Sequence, residues 1–106
     1  MPKYLITGSY STQGIKGVLA EGGTGRVAAV RSLIERLGGT LESMYFAFGS
    51  DDWYITVDLP DNVSAAKASL TVAATGSINP RVVVLLTPDE VDAAVKQTTD
   101  YRAPGA

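Results

Sequence analysis

The sequence predicts an α+β domain in which one four-stranded antiparallel sheet carries two main helices on one face. The first observation is the order of strand-like and helix-like segments, β-α-β-β-α-β before a short last helix. The second is residues 40–60, where two arms rich in aromatic and β-branched residues flank the turn-forming motif Gly49-Ser50-Asp51-Asp52. The third is that both faces of this hairpin are apolar, so the sheet needs a cover on each side.

The composition is typical of one globular domain. The chain has 106 residues, of which 45% are hydrophobic and 19% are charged. Its net charge of −2 argues against broad binding of nucleic acid or of an anionic membrane. It contains no Cys and no His, so the most common metal ligands and the most common general base are missing. We therefore expect no metal, no cofactor, no nucleic-acid partner and no membrane partner.

The termini and the overall hydropathy pattern lead to expectations about location and domain bounds. Residues 1–10 are too polar for a signal peptide, and no apolar run approaches the length of a membrane span. We therefore expect a cytoplasmic protein. Residues 1–97 are expected to form the single domain, and residues 98–106 a C-terminal tail.

The first half of the chain predicts one strand and two helical segments. The strand covers Lys3–Tyr10, and a glycine-rich segment follows it. Ser11 or Thr12 provides a cap for a short helical turn in that segment. Thr24 provides an N-cap for a longer helix over about 25–37, because apolar residues recur there at intervals of three and four. A Gly-Gly pair ends this helix.

The second half predicts a helix, a strand and a short last helix. The Ala-rich helix after Pro60 is expected to run to about Thr75 and to bury Val63, Ala66, Leu70 and Ala73 or Ala74. The strand over 77–86 has Val-Val-Val-Leu-Leu at its centre, and such a run predicts burial on both faces. The motif Thr87-Pro88-Asp89-Glu90 combines an N-cap, a proline at the first helical position and a capping-box glutamate. This order of elements is that of the ferredoxin-like fold.

No element remains to cover the second face of the sheet. The economical cover is a second copy of the chain across a two-fold axis, because the same apolar patch is then buried twice. We therefore expect a homodimer or a higher even-numbered oligomer. Strict alternation along the hairpin predicts the residues of the dimer interface, which are Met44, Phe46, Phe48 and Tyr54.

The order and spacing of several short motifs resemble those of the GYD-domain family. The motifs are Thr12-Gln13-Gly14-Ile15-Lys16, Leu37-Gly38-Gly39, Gly49-x-x-Asp52, Pro60-Asp61 and Thr87-Pro88-Asp89-Glu90. The resemblance covers roughly residues 2–96, and Asp51 stands where the signature tyrosine of the family would be. It implies a small bacterial protein with the dimeric α/β-barrel version of the ferredoxin-like fold, and it implies no established biochemical activity.

A glycine-rich loop that leads into a helix is a weak candidate for an anion site. Free backbone N–H groups at a helix N-terminus attract anions, and an arginine adds a positive charge. A flexible loop with an ordinary helix cap explains the same residues. The residues are Gly23, Thr24, Gly25 and Arg26.

Aromatic and polar residues are candidates for a ligand site in a cleft between the sheet and the helices. Aromatic rings hold a flat apolar ligand, and Tyr hydroxyls orient it. Core packing and a dimer interface are the alternative explanation. The candidates are Tyr10, Tyr45, Trp53, Asn79 and Arg81. The adjacent acids Asp51 and Asp52 are expected to diverge, with Asp52 capping the turn or meeting Arg81.

These patterns predict a homo-oligomeric module that binds a small ligand or serves assembly. The alternative is a cofactor-independent monooxygenase-like enzyme acting on an aromatic or polyketide-like small molecule, which rests on analogy of fold. The sequence identifies no catalytic residue. Convergence of Tyr10, Tyr45 and Asn79 on one enclosed cavity would favour the enzyme.

Overall fold

The computed structural model describes residues 1–106 and has the predicted order of elements, β-α-β-β-α-β-α. The strands are β1 Lys3–Tyr10, β2 Thr40–Phe46, β3 Trp53–Asp58 and β4 Ile78–Leu85. The helices are α1 Thr12–Arg36, α2 Asn62–Ala73 and α3 Pro88–Lys96. The prediction of an α+β, ferredoxin-like fold is confirmed.

The four strands form one antiparallel sheet in the order β2-β3-β1-β4. Strands β1 and β3 are therefore central, and β4 lies at an edge. The side chains of Val83 and Val84 in β4 are 44% and 55% exposed. The prediction that this strand is buried on both faces is wrong for the single chain, because only one face of the sheet has helices on it and β4 has only one neighbouring strand.

The hydrophobic core lies between the sheet and the two main helices. Val57 of β3 and Ile34 of α1 are fully buried in it. The residues that α2 buries are Ala65 and Ala68, and their small side chains let the helix lie close to the sheet. The predicted stripe of α2 is wrong in phase, because its members Val63, Ala66 and Leu70 are all exposed.

A β-bulge in β2 shifts the pairing of the hairpin by one residue. Leu41 pairs with Val57, but the next pair along β2 is Ser43 with Thr56, so Glu42 has no partner of its own. The Glu42 carboxylate forms an ion pair with Lys3. Because side chains alternate between faces with a period of two, one extra residue exchanges the faces of every side chain after it.

The bulge places Met44 and Phe46 on the helix side of the sheet. They pair with Ile55 and Trp53, which are both buried in the core. Met44 packs against the core, and the Phe46 ring lies 3.3 Å from where a Cβ of Gly23 would stand. The prediction that Met44 and Phe46 point to the outer face is therefore wrong.

The other face of the sheet is open and partly apolar. Tyr54 and Val83, which belong to this face, are 41% and 44% exposed, and Tyr45 is 71% exposed. Phe48 follows β2 in the hairpin loop and is fully exposed. The contact of Tyr54 and Phe48 with a second copy of the chain stays a prediction.

Two aspartates hold the loop between β2 and β3. The Asp51 carboxylate is buried, accepts a hydrogen bond from Thr7 Oγ1 at 3.0 Å, and forms an ion pair with Arg81. Asp52 Oδ2 accepts from the backbone N–H of Tyr10 at 2.9 Å. The two side chains diverge as predicted, but Asp51 and not Asp52 meets Arg81.

Helix α1 has a sharp kink at Gly22. The backbone angles of Gly22 are φ 77° and ψ 172°, a conformation that is essentially restricted to glycine. The kink divides α1 into segments 12–21 and 23–36. The Ser11 cap is confirmed, since its Oγ accepts from the backbone N–H of Gly14 at 3.2 Å. The predicted Thr24 cap is wrong, because the helix resumes directly after Gly22 and Thr24 lies within it.

Replacing Gly22 with alanine is expected to lower the free energy of unfolding by about 1–3 kcal/mol, because alanine is strained at this φ and ψ. Gly17 in the same helix is the matched control. A Cβ at Gly17 would meet no atom within 4 Å, so G17A is expected to raise the free energy of unfolding by about 0.5–1 kcal/mol. Urea unfolding of both variants measures the difference. Equal effects in G22A and G17A would contradict the kink.

Helix α3 and the residues after it extend away from the domain. Thr87 and Glu90 form the predicted capping box, with Thr87 N–H donating to Glu90 Oε1 at 2.9 Å. All residues of α3 are exposed, including the apolar Val91 and Val95. The molecule accordingly measures 57 × 33 × 22 Å. None of the helices has the length and apolar character that a membrane crossing requires. The domain boundary at residue 97 stays a prediction.

Candidate functional site

A cavity of about 40 Å³ lies between the helices and the sheet. Its wall is almost entirely hydrophobic and is built by both main helices and all four strands. The apolar lining residues include Ile6, Val30, Leu33, Met44, Ile55 and Ala68. Such a wall reduces the contact of a polar group with water, and this strengthens electrostatic interactions at the site.

Ser69 of α2 and three larger side chains with N–H or O–H groups line this mainly apolar cavity, and the three larger ones come from three different elements. They are Tyr10 at the end of β1, Arg26 in the second segment of α1, and Trp53 at the start of β3. The Tyr10 and Trp53 rings are 6.2 Å apart between centroids and tilted by 50°. The three residues are far apart in sequence, so only the fold brings them together.

Two N–H donors in this group have no acceptor within the chain. They are Arg26 Nε and Trp53 Nε1, and both atoms are buried. Trp53 as a whole is 3% exposed. A buried donor without a partner costs about 1–3 kcal/mol, so buried polar groups in native proteins nearly always meet a partner. The cavity is therefore chemically suited to a molecule that presents hydrogen-bond acceptors.

Arg26 is held in place by Glu21 on the other side of the helix kink. Arg26 Nη1 donates to Glu21 Oε1 at 3.1 Å. Ion pairs along a regular helix join residues three or four apart, whereas these two are five apart. The Gly22 kink between them changes the helix geometry and allows the contact. Partly exposed ion pairs stabilise a fold little, so the main consequence is the position of the guanidinium group.

Tyr10 contributes a neutral hydroxyl group to the site. Burial raises the pKa of the Tyr10 phenol above its ordinary value of 10.0, and the Arg26 guanidinium beside it opposes part of this rise. The phenol is therefore protonated at neutral pH. It donates or accepts a hydrogen bond there, and it does not act as a phenolate base.

An open cleft of about 400 Å³ adjoins the cavity. Tyr10, Arg26, Val72 and Ile78 line both spaces, so they form the boundary between them. The rest of the cleft is mainly polar and includes Gln13, Glu21, Thr71, Thr75 and Ser77. A Cβ at Gly14 would stand 2.3 Å from the Ser77 carbonyl oxygen, so glycine is required for α1 to begin this close to the sheet.

The structure unites some of the predicted site residues and separates the others. Tyr10 and Trp53 line the cavity. Tyr45, Asn79 and Arg81 do not line it: Tyr45 and Arg81 belong to the open face, and Asn79 is exposed at the start of β4. The convergence of Tyr10, Tyr45 and Asn79 that would favour an enzyme is not present. A ligand role for any of these residues stays a prediction.

The predicted anion loop is part of a helix. Gly23, Thr24 and Gly25 belong to the segment of α1 that follows the kink, and Gly23 packs against Phe46. Only Arg26 of this group lines the cavity. Anion binding by the backbone of these residues stays a prediction.

The residues of α2 that line the cavity were not predicted. Ala68, Ser69 and Val72 form this part of the wall. The sequence contains a signal for them, because Ala65, Ala68 and Val72 recur at intervals of three and four like any buried helix face. The larger side chains of Val63 and Leu70 favoured the wrong phase.

The family model of the GYD domain matches residues 4–95. The chain belongs to the GYD domain family. A search of curated proteins found no match. All residues that line the cavity and the cleft lie within the range that the GYD model matches. The resemblance predicted from the short motifs is confirmed.

Proposed function

We propose that this GYD domain is a homo-oligomeric binding module that holds a small molecule between its helices and its sheet. The observation that carries the proposal is the pair of unpartnered donors, Arg26 Nε and Trp53 Nε1, in a cavity whose wall is mainly apolar. A cavity that served packing alone would be more stable with apolar groups at both positions. A ligand with acceptors removes the cost of both donors.

The adjoining cleft provides the space and the route for such a ligand. Its volume of about 400 Å³ lies within the range of about 300–1,000 Å³ that small-molecule sites occupy. It opens to solvent between the first segment of α1 and the end of α2. A ligand that enters there reaches the cavity by passing Tyr10 and Arg26, which line both spaces.

The homo-oligomeric part of the proposal places a second copy of the chain on the open face of the sheet. Exposed apolar side chains on this face and on α3 support it, notably Tyr54, Val83, Val91 and Val95. A two-fold pair buries the face of each sheet against the other, as in a dimeric α/β barrel. A cytoplasmic location and a bacterial origin stay predictions.

Filling the cavity tests the binding function. Ala68 is 3% exposed and lines the cavity, so A68V is expected to fill part of the space that a ligand would occupy. Ala66 lies on the exposed side of the same helix, and A66V is the matched control. Native mass spectrometry on gently purified protein is expected to show a reproducible extra mass in the wild type and in A66V.

The same mass is expected to be missing from A68V, while circular dichroism shows that all three proteins are folded. An equal extra mass in A68V would contradict binding in this cavity. A wild-type protein at the bare mass of the polypeptide would contradict a tightly held ligand.

A further inference from the structure

We propose that the ligand of this cavity is a small polar monocarboxylate, whose carboxylate group lies between Arg26 and Trp53. This inference rests on the proposed function and names its ligand class. Three observations carry it: the type of the unpartnered donors, the way Glu21 holds the Arg26 guanidinium, and the sizes of the cavity and the cleft.

The first observation is that both unpartnered groups only donate. Neither Arg26 Nε nor Trp53 Nε1 is able to accept a hydrogen bond, so the ligand must present acceptors to both. A carboxylate accepts through two oxygens and donates nothing, which provides one oxygen for each donor. The guanidinium is always charged, and hydrogen bonds between ionised partners are about twice as strong as neutral ones. A carboxylate therefore fits better than a neutral carbonyl group.

The second observation is the state of the Arg26 guanidinium group. Its Nη1 is occupied by Glu21 at 3.1 Å. The Nε–H lies on the opposite edge of the planar group, where it points parallel to an N–H of Nη2. This is the edge that holds a carboxylate with two parallel hydrogen bonds. Glu21 thus fixes the arginine through Nη1, and the Tyr10 hydroxyl lies beside the same guanidinium, which leaves the Nε–H as the group without a partner.

The third observation is the difference in volume between the cavity and the cleft. The cavity of about 40 Å³ admits a group as small as a carboxylate, whereas a cavity that takes up benzene is about 150 Å³. The rest of the ligand must therefore lie in the open cleft of about 400 Å³. Gln13, Thr71 and Thr75 offer hydrogen bonds there, which favours a polar body over an aromatic or polyketide-like one.

The single tryptophan of the chain provides a direct readout. Its indole N–H gives one resonance in a ¹H–¹⁵N spectrum of the full-length labelled protein. The probes are sodium acetate and sodium glycolate, with acetamide and glycolamide as neutral analogues and sodium chloride at equal ionic strength. Acetate and glycolate are expected to shift the indole resonance in a saturating manner. The amides and chloride are expected to leave it in place.

Substitution of Arg26 tests whether glycolate binds at this site or responds only to the overall charge of the protein. R26Q removes the cation and its Nε–H, and is expected to weaken glycolate binding by about 10- to 100-fold. Arg31 is exposed on the same segment of α1, so R31Q is the matched control and is expected to bind glycolate like the wild type. Equal affinity in R26Q and the wild type would overturn the assignment.

The failure of this inference is distinguishable from the failure of the proposed function. A response to glycolate that does not saturate, or that chloride reproduces, overturns the carboxylate class. If a retained mass is nevertheless present in the wild type and missing from A68V, the binding function stands with a ligand of another class. If no mass is retained either, both the class and the function are wrong.

Discussion

Replacing Val57 with aspartate is expected to leave the chain unfolded. Val57 lies in the central strand β3, is 0% exposed, and pairs with Tyr4 and Leu41, which are both buried. No basic side chain belongs to this core cluster, so the new carboxylate would be buried without a partner. The cost of such a charge is several kcal/mol, a large fraction of the about 5–15 kcal/mol that stabilises a typical domain.

Far-UV circular dichroism and urea unfolding measure this effect. V57D is expected to lack a cooperative unfolding transition, whereas V57A is expected to keep one with a lower midpoint. The same change from valine to aspartate at Val83, on the open face, serves as the control and is expected to fold. A cooperative transition of normal stability in V57D would contradict the burial of Val57 between the sheet and the helices.

The V83D variant is expected to be a folded monomer. Val83 lies in the edge strand β4 and is 44% exposed on the open face, so aspartate is solvated there in the single chain. In the proposed dimer the same position is covered by the second copy, and the two-fold axis introduces two like charges into one apolar interface. We expect the dissociation constant of the dimer to increase by about 100-fold or more, which corresponds to a loss of about 3 kcal/mol of binding free energy.

Sedimentation velocity over a range of concentrations tests the prediction for V83D. The matched control is L70D, because Leu70 is 68% exposed on α2, away from the open face of the sheet. The wild type and L70D are expected to sediment as even-numbered oligomers, and V83D as a monomer. An unchanged oligomer in V83D would place the interface elsewhere on the chain. A monomeric wild type would remove the homo-oligomeric part of the proposed function.

The tests of ligand binding in the cavity and of the proposed dimer interface are independent of each other. Ala68 and Arg26 line the space between helices and sheet, whereas Val83 lies on the opposite face. A monomeric V83D that still retains a ligand would show that one chain is enough for binding. A monomeric V83D that retains no ligand would show that the second copy, which packs on the other face of the sheet, is needed for binding.

The candidate site was predictable only in part, because its residues come from separate elements. Tyr10 and Trp53 were predicted as ligand residues from their aromatic character, and Arg26 from its place after a glycine-rich segment. Nothing in the sequence relates these three positions to one another. Their meeting depends on the pairing of β1 with β3 and on the kink at Gly22, which determines where Arg26 lies.

The sequence by itself determined the elements and their order, because these depend on interactions between near neighbours. The Ser11 cap and the capping box of Thr87 and Glu90 are contacts within a few residues of the chain. The helical and strand periods located the elements, although they did not give the buried face of α2 or of the end of β2. Together with the known preferences of such an order, these local signals were sufficient for the ferredoxin-like fold.

Only the tertiary structure decided which side chains share a face or a cavity. The bulge at Glu42 has no signal of its own, yet it moves Met44 and Phe46 from the predicted interface to the helix side. The ion pair between the buried Asp51 and the exposed Arg81 joins residues that are 30 positions apart. Such outcomes depend on strand register and on distant partners, and a shift of one residue reverses them while the local pattern stays the same.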